Sequence, residues 1–197
     1  MNDKRAARIS RKTRETSIDV ELDLDGTGEC AVNTGLPFLD HMLELFCRHA
    51  LMDIKIKAEG DIQVDYHHTV EDIGLSIGQA LNKALADRTG ISRYGYSILP
   101  MDEALSMVAV DLGGRAYLAQ KMKCRKRKIL DFDLSLLGEF LKALVSEARM
   151  NLHIDQMRGD EAHHACESVF KGLGRAMRSA CSLDSREKGV PSTKGAL

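Results

Sequence analysis

The cassettes HHTVE, residues 67–71, and HHACE, residues 163–167, are the stretches of sequence that decide the predicted fold. They lie 96 residues apart, and each opens the last long helix predicted for its half of the chain. In the same way, FLDHML around His41 is matched 98 residues later by LLGEFL around Glu139. A small difference in loop length reconciles the two spacings. Motifs that recur in the same order at one period indicate an internal duplication.

Hydrophobic periodicity places helices and strands in a similar order in both halves. Apolar residues on one helical face predict helices at residues 36–50, 69–87, 134–150 and 162–182. Alternating apolar and polar residues predict strands at residues 17–24, 52–58, 61–66, 103–111, 116–123 and 151–156. The turn at Asp25-Gly26 predicts that the first of these strands forms a hairpin with a short strand that follows it.

We therefore predict an α+β protein made of two similar half-domains, residues 1–95 and 96–197. Each half-domain is expected to be a mainly antiparallel sheet with helices packed on one face, because strands precede a final helix in each half. A chain of 197 residues with 44% hydrophobic residues is long enough to bury such a core.

The charge balance excludes a large field of either sign. Lys and Arg number 28 and Asp and Glu number 29, so neither nucleic acid nor a membrane is an expected partner. No apolar run is long enough for a membrane span, which indicates a soluble protein. The five cysteines form no CxxC pair, and we interpret them as reduced core residues of a cytoplasmic protein. They are Cys30, Cys47, Cys124, Cys166 and Cys181.

The two cassettes combine imidazole nitrogens with carboxylate oxygens. On a helix His67 and Glu71 share a face, whereas His68 is turned away by about 100°. Adjacent histidines therefore do not easily serve one ion, and two cassettes predict two metal sites, with His41 and Glu139 as further donors. Nitrogen and oxygen ligands without thiolates suit manganese, iron or zinc. A single HHxxE is more often a polar surface feature, but two copies at matching positions of a duplication favour metal binding.

Seven stretches of the sequence resemble the imidazoleglycerol-phosphate dehydratase family, and they run over essentially the whole chain. The resemblance implies a manganese-dependent carbon–oxygen lyase of histidine biosynthesis with two manganese ions in each active site. It also implies a homo-oligomer of 24 subunits with active sites at subunit interfaces. The stretches are FLDHML, DYHHTVED, EAHHACE, ISRYG, DLGGR, NLHI and PSTKG.

The same resemblance implies a role for individual residues. It gives one ion to His41, His68, His163 and Glu167. It gives the other ion to His67, Glu71, His164 and Glu139, although many relatives have a histidine at the last position. The implied catalytic carboxylates are Glu15, Glu71 and Glu167, with Glu15 as the acid or base. The implied substrate-binding residues are Glu15, Arg93, Arg115, Lys171, Ser192 and Lys194.

The reaction implied by the resemblance removes water from D-erythro-imidazole-glycerol phosphate and gives imidazole-acetol phosphate. No carbonyl stabilises the carbanion, so the hypothesis is that two manganese ions bind the substrate imidazole as imidazolate and let the ring relay electrons. Two alternatives share the same residues. One is a two-metal phosphate-ester hydrolase, and the other is an assembly protein that uses the cassettes to join subunits through metal.

Overall fold

The computed structural model describes residues 4–195 and 197, and its elements form two matching sets. The first set is β1 (Ala6–Lys12), β2 (Thr16–Asp23), β3 (Cys30–Asn33), α1 (Pro37–Ala50), β4 (Asp53–Gly60) and α2 (His67–Leu85). The second set is β5 (Tyr94–Met101), β6 (Ala104–Asp111), β7 (Tyr117–Lys121), β8 (Lys128–Ile129), β9 (Phe132–Asp133), α3 (Ser135–Ala148), β10 (Asn151–Arg158) and α4 (Ala162–Cys181).

Each set contains a four-stranded sheet, and the two sheets have the same topology. The strand orders are β1-β2-β4-β3 and β5-β6-β10-β7. Three strands of each sheet pair in antiparallel fashion, whereas the edge strands β3 and β7 run parallel to β4 and β10. The predicted α+β fold with two mainly antiparallel sheets is confirmed.

The spacing of the elements shows where the two halves differ in length. β5 and β6 begin 88 residues after β1 and β2, whereas α3 and β10 begin 98 residues after α1 and β4. The extra length includes the small hairpin β8–β9, which stands between β7 and α3. The first set of elements ends before segment 86–93 and the second set begins after it, so this segment connects α2 to β5. The division into residues 1–95 and 96–197 stays a prediction.

The helices lie between the two sheets and form one core with them. Ile18, Val20 and Leu22 alternate along β2 and point inward, where each is almost fully buried. α2 packs on the first sheet and α4 on the second, while α2 also packs against α3 and α1 against α4. None of the helices in the described part of the chain is long and apolar enough to cross a membrane.

Two local predictions were wrong. Residues 61–66 form a turn instead of a strand, and Ile62 and Val64 are 42% and 68% exposed, so their alternation is not a buried face. The expected hairpin after β2 is not formed either, because β2 pairs with β1 and β4. The short strand after the turn, β3, crosses to the other side of β4 and pairs with it in parallel.

The outer faces of the two sheets differ in chemistry. On the first sheet the outward residues of neighbouring strands are charged, as in the pairs Glu21–Lys55 and Asp19–Lys57. On the second sheet the corresponding face carries exposed apolar side chains, with Tyr96 80% exposed. The exposed apolar residues of this face are Tyr94, Tyr96, Ile98, Met107 and Tyr117. The duplicated sheets therefore present different surfaces.

All five cysteines are free thiols in the structure. Cys47, Cys166 and Cys181 are buried, as predicted for core residues. Cys30 and Cys124 are only half-buried, so the expectation of five core cysteines was wrong for these two.

Candidate metal centre and substrate site

A group of three ligand-type side chains forms where α1 packs against α4. His41 lies near the start of α1, and His163 and Glu167 lie one turn apart at the start of α4. The Nε2 atoms of His41 and His163 are 3.0 and 3.1 Å from Glu167 Oε1. Their ligand atoms lie within 4.8 Å of one another, and no other such group of three was found among residues 4–195 and 197.

Glu167 is the most buried member of this group, at 8% exposure. Its second oxygen, Oε2, accepts a hydrogen bond of 2.5 Å from Lys171 Nζ. Burial alone would raise the pKa of Glu167, but the hydrogen bonds from Lys171, His41 and His163 outweigh burial and lower the pKa to about 2. The carboxylate is therefore ionised, which is the form in which a carboxylate binds a metal ion.

The side chain of His68 lies apart from the group around Glu167, at the start of α2. Its Nδ1 atom is 3.1 Å from Asp61 Oδ2 and 3.8 Å from Glu15 Oε2. The hydrogen bond with Asp61 is the main reason that the pKa of His68 is raised. Because a carboxylate holds Nδ1, the ring is oriented and its Nε2 atom is left for another partner.

His164, in the second cassette, is held in the same way. Its Nδ1 atom is 2.9 Å from Glu103 Oε2, and this contact raises the pKa of His164. The backbone N–H of His164 donates to Glu161 Oε2 at the N-terminus of α4. A carboxylate on Nδ1 is the usual support of a metal-binding histidine. The donor set and its supports therefore fit a divalent metal ion.

The remaining predicted ligands are spread over the surface of the single chain. His67 Nε2 is 3.8 Å from Glu71 Oε2, on one face of α2 as the helical spacing predicted. Glu139 lies on α3, where its nearest charged partner is Lys142 at 3.8 Å. His67, His68, Glu71, Glu139 and His164 are not part of the three-residue group around Glu167. The complete ligand sets stay a prediction.

Aromatic rings stand between the two cassettes. Tyr66, which precedes the first cassette, stacks on Phe132 of the β8–β9 hairpin at 6.5 Å between ring centroids. Phe132 lies 5.4 Å from Phe38, and Phe38 lies 5.6 Å from His163. The hairpin and the aromatic rings around it thus form an apolar layer between the two cassettes of one chain.

A cleft of about 710 Å³ brings together four of the predicted substrate-binding residues, Arg93, Arg115, Ser192 and Lys194. Arg93 Nε donates to Asp111 at 2.7 Å, and Arg93 Nη1 donates to the Pro191 carbonyl at 2.8 Å. The cleft therefore has a fixed guanidinium and two further cations, which suits an anion. Lys171 is not in this cleft, because its ammonium group lies against Glu167.

Glu15 lies on the turn between β1 and β2, and a buried carboxylate fastens this turn to α2. Asp72 is 7% exposed and accepts hydrogen bonds from Thr16 Oγ1 and, at 2.9 Å, from Arg11 Nε. Thr13 Oγ1 accepts from the backbone N–H of Glu15 at 3.1 Å. The Glu15 carboxylate is thereby held on the His68 side of the turn.

The family model described as imidazoleglycerol-phosphate dehydratase matches residues 34–177 of the chain. The chain belongs to the imidazoleglycerol-phosphate dehydratase family. It is 54% identical to the dehydratase of Methylorubrum populi over 194 residues, which cover 98% of this chain and 100% of that protein. The dehydratase of Moorella thermoacetica is 51% identical, with 98% of each protein covered.

Two solved structures of the dehydratase family show the same fold. The enzyme from Staphylococcus aureus superimposes with a TM-score of 0.83 at 37% identity, and covers 91% of this chain and 99% of that chain. The enzyme from Pyrococcus furiosus gives a TM-score of 0.83 at 38% identity, with 96% and 100% covered. The lyase class and the role in histidine biosynthesis implied by the resemblance are therefore supported, and the hydrolase and assembly-protein alternatives are set aside.

For this member of the dehydratase family, the sequence reasoning missed the carboxylates that support the cassettes. Asp61 was assigned to a predicted strand. Asp72 is the last residue of the stretch DYHHTVED, and no role was predicted for it. Glu103 carried a detectable signal, because it follows Glu15 by the same 88 residues that separate β1 from β5. Each of these two glutamates stands beside the second histidine of its own half's cassette.

Proposed function

We propose that the chain dehydrates D-erythro-imidazole-glycerol phosphate to imidazole-acetol phosphate in the cytoplasm, using two manganese ions per active site. The observation that carries this proposal is the 54% identity to a named dehydratase over 98% of the chain. The geometry adds support, because a cation-binding group and an anion-binding cleft are the two features that an imidazole phosphate substrate requires.

His41, His163 and Glu167 would hold one ion together with His68. His67, Glu71, His164 and Glu139 would hold the other. When bound, the two ions would supply Lewis acidity that favours the imidazolate form of the substrate ring, whose electrons can then help to expel the hydroxyl group as the carbon–oxygen bond breaks. Asp61 and Glu103 hold the Nδ1 atoms of His68 and His164, and so keep each ring in one orientation.

The assembly of several copies is part of the proposal. His68 lies outside the group that contains His41, His163 and Glu167, so this ligand set is incomplete within one chain. A second copy that presents its α2 cassette to the start of α4 would complete it. The exposed apolar face of the second sheet offers a surface for such contacts, whereas the charged face of the first sheet does not. We expect the 24-subunit homo-oligomer implied by the resemblance.

The substrate phosphate would bind in the cleft lined by Arg93, Arg115, Ser192 and Lys194. Asp111 fixes the fork of Arg93, so little rotational freedom is lost when the phosphate binds. Lys171 is expected to contact substrate from the Glu167 side, since its ammonium group already lies within the proposed metal centre. Ring and phosphate would then be held at two separate points.

Glu15 is the proposed group for proton transfer at the substrate carbon next to the phosphate-bearing end. Its carboxylate is half-exposed, 3.8 Å from His68 Nδ1, and no Lys or Arg is within salt-bridge distance of it among the described residues. It is therefore free to exchange a proton with substrate. Loss of that proton and of the neighbouring hydroxyl gives an enol, which becomes the ketone product.

The test is a dehydration assay with imidazoleglycerol phosphate. We expect the enolisable ketone to form with manganese present and not after treatment with a chelator. A Glu15→Gln variant should keep its metal and its assembly but lose turnover by at least roughly 100-fold. Release of inorganic phosphate in place of ketone would contradict the proposed reaction, and unchanged turnover of the variant would remove Glu15 from it.

A further inference from the structure

Two cysteine side chains that play no part in the proposed reaction meet in the first half of the molecule. Cys30 lies at the start of the edge strand β3, and Cys47 lies in α1, which packs on that strand. Their Sγ atoms are 3.0 Å apart, in direct contact. A disulfide has a sulfur–sulfur distance of about 2.05 Å, so a shift of about one ångström would close this pair.

The two thiols differ in access and in acidity. Cys47 is fully buried, whereas Cys30 is half-buried and borders an open cleft of about 520 Å³, whose lining carries both cations, such as Lys4 and Lys55, and carboxylates, such as Glu29 and Asp53. The contact with Cys47 lowers the pKa of Cys30, while the same contact and burial raise the pKa of Cys47. An oxidant from solvent therefore reaches Cys30 first, and Cys30 is the better nucleophile.

We propose that Cys30 and Cys47 are a reversible oxidation site, which a hydroperoxide closes to an intramolecular disulfide. The Cys30 thiolate attacks a peroxide oxygen, so that a sulfur–oxygen bond forms, the oxygen–oxygen bond breaks and hydroxide leaves. The Cys47 sulfur then attacks the sulfenic sulfur, a sulfur–sulfur bond forms and the second oxygen leaves as water. In total, two thiols and one hydrogen peroxide give one disulfide and two waters, and a cellular dithiol reverses the change by exchange.

Formation of the disulfide would join β3 covalently to α1, which packs against it at this point. β3 is a four-residue edge strand, paired with β4 on one side only. The disulfide would tie it to α1, the helix that carries His41. A cross-link over such a short loop stabilises a protein mainly by restricting its unfolded chain. The oxidised form is therefore expected to be the more heat-stable one.

The test treats the reduced, metal-loaded protein with hydrogen peroxide and then blocks and counts the remaining thiols. Trypsin keeps both cysteines on one peptide, residues 15–48, because no Lys or Arg lies between Glu15 and Cys47. We expect this peptide to lose the mass of two hydrogens and to regain it with dithiothreitol. After cleavage at Met42, the two pieces should stay joined until they are reduced. The Tm of the oxidised protein should rise by roughly 5 °C.

A Cys30→Ser variant should show no such mass loss, while Cys181→Ala, at a buried cysteine elsewhere, should behave like the parent. The proposal is overturned if peroxide leaves the peptide unchanged while a small free thiol in the same tube is fully oxidised. It is equally overturned if Cys30 is converted to sulfinic acid without a cross-link, or if only another cysteine pair is joined. None of these outcomes depends on dehydratase activity.

Discussion

His68 and His164 are held through the same ring nitrogen by carboxylates from outside their cassettes. Replacement of these supports should weaken metal binding without removing a ligand. We expect Asp61→Asn and Glu103→Gln each to lower manganese affinity by roughly 10- to 100-fold, since the ring loses its fixed orientation. Titration calorimetry with manganese measures this, with Glu59→Gln on the exposed sheet face as the control. Affinities equal to the parent value would show that the supports are dispensable.

The sequence predicted the residue types of the site better than their arrangement. The paired cassettes pointed to metal because imidazole and carboxylate recur at equivalent positions of a duplication. The structure brings His41, His163 and Glu167 together through helix packing, which a local pattern does not encode. The supports Asp61 and Glu103 were missed because they lie outside the cassettes. Asp61 lies in the loop after β4, and Glu103 lies in the turn between β5 and β6.

Asp72 should matter for both stability and turnover. Its buried carboxylate joins Arg11 and Thr16 to α2, below the turn that carries Glu15. An Asp72→Asn variant loses a charge-assisted partner for Arg11, so we expect unfolding free energy to fall by roughly 1–3 kcal/mol. Turnover should fall by roughly 10-fold as the turn loosens. Denaturant unfolding and the kcat of the folded variant measure the two effects separately, and Thr16→Ser, which keeps the hydroxyl, should retain more of both.

At the scale of elements, α2 and α3 approach each other closely at Gly78. A Cβ atom added at Gly78 would stand 2.7 Å from the Leu144 carbonyl oxygen and 3.0 Å from the Ala148 backbone nitrogen. Gly78→Ala must therefore push the helices apart, and we expect a loss of roughly 1–3 kcal/mol of unfolding free energy. Gly189→Ala, where nothing lies within 4 Å, is the control. Equal denaturation midpoints for the two variants would contradict this reading of the interface.

Amphipathic helices were predictable because each has one apolar face to bury, and all four were found within a few residues of their predicted ends. Strands were harder to predict from the sequence than helices. β1 was missed because its outward residues are charged or small and it is an edge strand, which leaves little apolar alternation. Residues 61–66 had the alternation of a strand, but the chain turns there to start α2. The whole sheet determines which strands pair with each other, and β3, which pairs with β4 instead of β2, is an example.

At the scale of the whole molecule, the contrast between the two outer sheet faces predicts where copies meet. Ile98 and Tyr96 are 61% and 80% exposed on the apolar face. We expect Ile98→Lys or Tyr96→Glu to shift the protein to smaller species, and to reduce turnover with it, because buried charges oppose association. Light scattering after size-exclusion chromatography measures the mass. Lys57→Ala, on the charged face of the first sheet, should keep the parent assembly, and a variant that assembles normally would place the interface elsewhere.

The way the helices cross from one half to the other has a consequence for the history of the chain. α2 rests on α3 and α1 rests on α4, and Arg88 reaches across to the Ala148 carbonyl at 3.1 Å. Neither half alone would cover its own helices. A gene cut in segment 86–93 would yield two polypeptides that must find each other before either is stable. If one repeat once existed as a separate chain, the same helix faces would have to be buried between two copies of it, as the contact of a homodimer.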